Sequence, residues 1–119
     1  MWLNEGDAGR LWDMLTYARQ ISQGVSGMTF AQYAADGDRR LATERRLEII
    51  GEAAPNVSQA FMEAHPEIPW RRIIGLRNVL AHEYGDIRQE RIFRIVREDI
   101  PALVRLLEPL SPPPPESRE

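Results

Sequence analysis

No stretch of this 119-residue chain alternates apolar and polar side chains over the length of a strand. That absence constrains the fold more than any other feature. A half-buried strand needs period two, whereas an amphipathic helix needs apolar residues at i, i+3, i+4 and i+7. The helical pattern recurs throughout. Leu11, Met14, Leu15, Ala18 and Ile21 follow it, with Asp7 placed to cap the start and Gly24 and Gly27 to end it; the spacing predicts a helix over residues 8–23. Thr29 and Gln32 have the spacing of a capping box, which opens a short helical turn closing near Asp36-Gly37. Asp38 is then expected to cap a longer helix with Leu47, Ile50, Ala54, Val57 and Phe61 as its stripe, widened by Ile49 and Ala53. Pro55 lies inside that stripe, and because the stripe resumes in phase beyond it, a kink rather than a break is expected.

Two prolines make His65-Pro66-Glu67-Ile68-Pro69-Trp70 a stiff connector. A third helix is predicted from about Trp70 to His82 or Glu83, with Trp70 as a core anchor, Gly85 as terminator and Asp86 capping a fourth. That last helix turns Ile92, Ile95, Val96, Leu103, Leu106 and Leu107 inward, with Pro101 kinking it or starting a second segment. The predicted fold is all-α, an antiparallel bundle of four to five helices. One domain is expected over residues 1–108, followed by a proline-rich tail over 109–119 with no means of packing.

Composition narrows the chemistry. The chain has no cysteine and two histidines, so a metal site of its own is not expected. The first residues have no basic segment leading into an apolar run, and no stretch reaches membrane-spanning length. A cytoplasmic protein without membrane partners is therefore expected. The net charge of −3 argues against a protein that coats nucleic acid generally. Residues 71–105 nevertheless carry 8 Arg against 5 acids, so a local anion site remains open there.

That positive segment holds Arg77-Asn78-Val79-Leu80-Ala81-His82-Glu83-Tyr84. A guanidinium is a permanent fork for phosphate oxygens, and an imidazole moves protons near neutral pH. On an ideal helix counted from Ile73, Leu76 and Leu80 share the core stripe, while His82 falls at about 180°, with Asn78 and Gly75 beside it. Arg77, at about 40°, flanks the core, roughly 140° from His82. The two side chains converge only through a distorted helix end, a curled arginine, or a groove between two protomers. Gly75 on the outward face suggests close approach of another backbone or a ligand. A histidine that simply favours the helix C-terminal dipole is the plainer reading of the spacing. Tyr84, at about 20°, can be read as a half-buried tyrosine beside the core stripe, a reading compatible with a second role for its phenol. Glu44, Glu48 and Glu52 form an i, i+4 row that reads first as a solvated face.

Four segments in order, Trp12-Asp13-Met14-Leu15, Glu44 through Ala54, Pro66-Glu67-Ile68-Pro69-Trp70 and Ile74 through Tyr84, closely resemble the HepT-like family of HEPN-domain toxins. The likeness covers roughly residues 8–107, and Pro55 is its clearest departure. The resemblance implies a dimerising helical bundle, the toxin of a type VII toxin–antitoxin pair, acting as an endoribonuclease without metal or other cofactor. It implies catalytic roles for Arg77 and His82, a supporting polar role for Asn78, and AMPylation of Tyr84 by a nucleotidyltransferase antitoxin of the MNT type. Its substrate would be RNA. The competing reading is a catalytically inactive dimeric module that binds such a nucleotidyltransferase.

Overall fold

The computed structural model describes residues 5–110. They form helices and turns, with no strand among them. The helices are α1 (Glu5–Val25), α2 (Phe30–Ala35), α3 (Gly37–Ala53), α4 (Gln59–Ala64), α5 (Trp70–Ile74), α6 (Leu76–His82), α7 (Gly85–Arg94) and α8 (Ile100–Leu107). Four rods carry the architecture: α1, α3, the α5–α6 pair, and α7 running into α8. The short α2 and α4 sit in the connections. The result is the all-α bundle that the periodicity predicts.

Helix α1 packs against α3 and α8 at the centre, and α5 and α6 lie against α3. Leu11, Met14, Leu15, Ala18 and Ile21 are buried, as are Leu47, Ile50, Ala54, Val57 and Phe61. Each such aliphatic side chain contributes about 1.5–3 kcal/mol when fully withdrawn from water. Trp70 is partly buried against this core and meets Phe61 edge-on, with its indole N–H donating to the His65 carbonyl at 3.0 Å.

Several helix ends differ from expectation, each for a local reason. Asp7 is not a cap. It lies within α1, buried, and its carboxylate accepts from the Ser58 amide at 2.8 Å and the Ser58 hydroxyl at 2.7 Å. The capping box of Thr29 and Gln32 is present in both directions. The next cap is Asp36, not Asp38: its side chain accepts from the Arg39 amide at 2.9 Å. Pro55 breaks α3 instead of kinking it. The chain passes through a 3₁₀ turn over Ala54–Asn56, becomes extended at Val57 and restarts as α4 under a Ser58 cap. The break is stable because Asn56 Nδ2 donates to the Glu52 carbonyl and Asp7 holds Ser58. The apolar positions stay in the core across the break, so the stripe alone did not reveal it.

Gly75 separates α5 from α6, and its would-be Cβ lies 3.2 Å from the Arg71 carbonyl oxygen. The close approach is therefore made by the preceding turn of its own chain. Helix α6 ends at His82, and Glu83 and Tyr84 are extended. Gly85, at φ +67°, opens α7 in a conformation that only glycine adopts without strain; it starts the helix rather than closing the one before. Near Pro101, which lacks an amide hydrogen, the backbone widens to a π-helical segment over Ile95–Asp99, where the Ile100 amide bonds the Ile95 carbonyl. Packed structure continues through a 3₁₀ turn to Leu110, which rests against the core. Of the tail expected over residues 109–119, Pro109 and Leu110 belong to that turn, and residues 111–119 lie outside the described residues.

Candidate active site

A groove of about 710 Å³ runs between α3 and the α5–α6 rod, with Arg88 of α7 at its edge. Its α3 wall presents Glu44, Glu48 and Glu52, one turn apart. Its opposite wall presents Arg77 and Asn78.

The position of Arg77 depends on Gly51. A Cβ built on Gly51 would stand 3.0 Å from Arg77 Cγ and 3.6 Å from both the Arg77 amide nitrogen and the Ile73 carbonyl oxygen. Without that Cβ, α6 settles onto α3 and the arginine stem lies on the bare helix surface, with its charged head outside. Gly51 is buried, and its role was missed in the sequence because a glycine within an apolar stripe looks like a weak helix residue. Arg77 itself is exposed and makes no ion pair or hydrogen bond among the described residues.

The glutamate row is not a uniform solvated face. Glu44 is largely buried; it accepts from Arg88 Nη2 with one oxygen and from Gln89 Nε2 at 3.1 Å with the other. It thereby fixes the start of α7 to α3. Glu48 pairs with Arg45 one turn away. The Glu52 side chain makes no bond among the described residues.

Beneath Glu44 lies Tyr33, buried, with its hydroxyl beside that of buried Thr43. Burial, reinforced by the Glu44 carboxylate, pushes the phenol of Tyr33 up to about 12. The ring itself packs against Phe93, with centroids 5.3 Å apart.

The four residues singled out in the sequence do not all meet. Arg77 and Asn78 share the groove, whereas His82 and Tyr84 are outside its lining. His82 is exposed at the open end of α6, and its side chain makes no bond among the described residues. The helical wheel placed it correctly on the outward side. Tyr84 is 73% exposed, not half-buried, because the helix on which its angle was reckoned stops at His82. Its hydroxyl donates to the Ala81 carbonyl at 3.2 Å, and the turn is clasped by Arg91 Nη1 on Glu83 at 2.9 Å. Ile87, just beyond, is also 73% exposed.

Among the described residues no group of three or more His, Asp or Glu is disposed to hold a metal ion, and no helix is long and apolar enough to cross a membrane.

Residues 14–110 match the family described as Ribonuclease HepT-like. A protein named Probable ribonuclease HepT, from Thermococcus cleftensis, is 35% identical over 100 residues, covering 84% of this chain and 91% of the relative. An RNase-named protein of Methanocaldococcus jannaschii is 34% identical over 98 residues, covering 82% of this chain and 90% of the relative. Another RNase-named relative, from Caldanaerobacter subterraneus, is 38% identical over 79 residues, covering 66% and 70% respectively. No solved structure matches the chain. Matched over nearly all of its helical body and similar across most of its length to relatives that bear ribonuclease names, this chain belongs to the HepT-like ribonuclease family.

Proposed function

We propose that the protein is a metal-independent endoribonuclease, the toxin of a type VII pair, whose working site forms when two copies meet. The observation that carries this reading is Arg77 beside Asn78 in an open groove, without an ion pair among the described residues, with His82 exposed at the end of the same helix. Arg77 holds the scissile phosphate through charge-assisted bonds that strengthen as charge develops on its oxygens. The RNA 2′-oxygen attacks phosphorus and loses its proton to a base. The bond from phosphorus to the 5′-oxygen breaks, and that oxygen receives a proton from an acid. The ends left are a 2′,3′-cyclic phosphate and a 5′-hydroxyl. His82 fills one proton-transfer role, and His82 of a second copy fills the other. Exposed Ile87, beyond the turn, offers an apolar contact for such pairing and leaves Tyr84 accessible.

In cleavage of RNA in EDTA, His82→Ala is expected to lose roughly 10²–10⁴-fold in rate. Unimpaired cleavage by that variant refutes the catalytic role of His82, whereas absence of cleavage by the wild type itself favours the inactive binding module. Tyr84, exposed on its turn, is the group a nucleotidyltransferase antitoxin modifies. AMP there adds a negative phosphodiester and a bulky nucleoside two residues from His82, repelling RNA and blocking the face. Mass spectrometry after incubation with such a partner and ATP is expected to find AMP on Tyr84; AMP only on other residues counts against it.

A further inference from the structure

Of the three carboxylates on the α3 wall, Glu44 is held by Arg88 and Gln89, and Glu48 by Arg45. Glu52 is exposed, lines the groove and makes no side-chain hydrogen bond or ion pair among the described residues; Arg45, two turns earlier on the same wall, is near enough to feel its charge. On the opposite wall are Arg77 and Asn78, whose side chains make no hydrogen bond or ion pair among the described residues. A groove meant only for phosphate would gain nothing from a free carboxylate, which repels phosphate oxygens. A carboxylate accepts hydrogen bonds and donates none. A ligand that suits both walls presents phosphate to Arg77 and hydrogen-bond donors to Glu52.

Single-stranded RNA is recognised through the Watson–Crick edges of splayed bases. Guanine alone offers two adjacent donors there, N1–H and the N2 amino group, which match the two oxygens of a carboxylate. Adenine and cytosine each place an acceptor beside the amino group, and uracil flanks its single N–H with two carbonyls. We infer that Glu52 is the specificity-determining residue of the groove and reads a guanine next to the phosphate held by Arg77. This inference rests on the ribonuclease reading above.

The test uses the full chain and 2′-O-methyl octamers, which lack the attacking hydroxyl and are not cleaved. Octamers of uridine carry one central guanine, inosine, adenine or uridine, and binding is followed by fluorescence anisotropy. Inosine keeps N1–H and loses the N2 amino group, so it deletes one of the two bonds. Guanine is expected to bind about tenfold tighter than inosine, the scale of one charge-assisted hydrogen bond. In Glu52→Gln, whose neutral amide offers a single acceptor, that ratio is expected to fall close to one, with circular dichroism unchanged. Cleavage of unmodified RNA is expected next to guanine in the wild type and to spread to other bases in the variant.

Equal binding of guanine and inosine by the wild type overturns the inference. So does a Glu52→Gln variant that weakens every octamer equally, which assigns Glu52 to holding Arg77 rather than to reading a base. RNA cleaved without base preference sinks this inference alone. No binding of any octamer together with no cleavage of any RNA sinks the ribonuclease reading with it.

Discussion

Arg77 is useful because Gly51 is not alanine. The arginine stem crosses α3 where a methyl group would stand 3.0 Å from its Cγ, so the guanidinium is aimed by packing rather than by an ion pair. Gly51→Ala has two opposed effects on stability. It gains about 1 kcal/mol of helix propensity and loses part of that by pressing on a flexible stem, so the midpoint of urea unfolding should barely change. Cleavage is expected to fall roughly tenfold, since small misplacements of a phosphate-binding group are costly. A variant with unchanged cleavage removes Gly51 from the account of the site. The pattern Arg77-x4-His82 was legible in the sequence; the reason Arg77 points into a groove was not, because it depends on a residue 26 positions earlier in another helix.

At the scale of elements, α2 is pinned by Tyr33, wedged between α3 and α7 with its hydroxyl buried beside Thr43. Its phenol titrates near 10 when the chain is unfolded and at about 12 in the fold. Below pH 10 both states hold the proton. Between pH 10 and 12 only the unfolded chain releases it, so stability falls as pH rises, by about 1.4 kcal/mol per pH unit for this group. Tyr33→Phe lacks that loss. Relative to the wild type, its stability should therefore rise steadily between pH 10 and pH 12 in urea titrations. A constant difference between the two proteins across that range contradicts this assignment.

The helices themselves were readable from period and caps: the buried faces of α1, α3 and α8 are those the spacing predicts. Helix ends were less so. Asp7 and Asp38 both looked like caps, yet Asp7 serves Ser58, 51 residues away, and Asp36 takes the role expected of Asp38. Likewise, the stripe runs through Pro55 although the helix does not. Apolar phase records which side chains face the core and is blind to the backbone path that brings them there.

For the molecule as a whole, the groove lining includes Arg77 and Asn78 but not His82. Family membership brings the ribonuclease class, and it is the proposed second copy that would join His82 to the groove in one site. In the proposed reaction His82 moves protons during attack by the RNA 2′-hydroxyl. Its most direct test is the chemistry of the ends left when RNA is cleaved in EDTA, read by mass spectrometry for wild type and His82→Ala. A 2′,3′-cyclic phosphate and a 5′-hydroxyl from the wild type, both nearly lost in the variant, are expected. A 3′-hydroxyl paired with a 5′-phosphate, or the same cyclic ends in undiminished yield from His82→Ala, would contradict it.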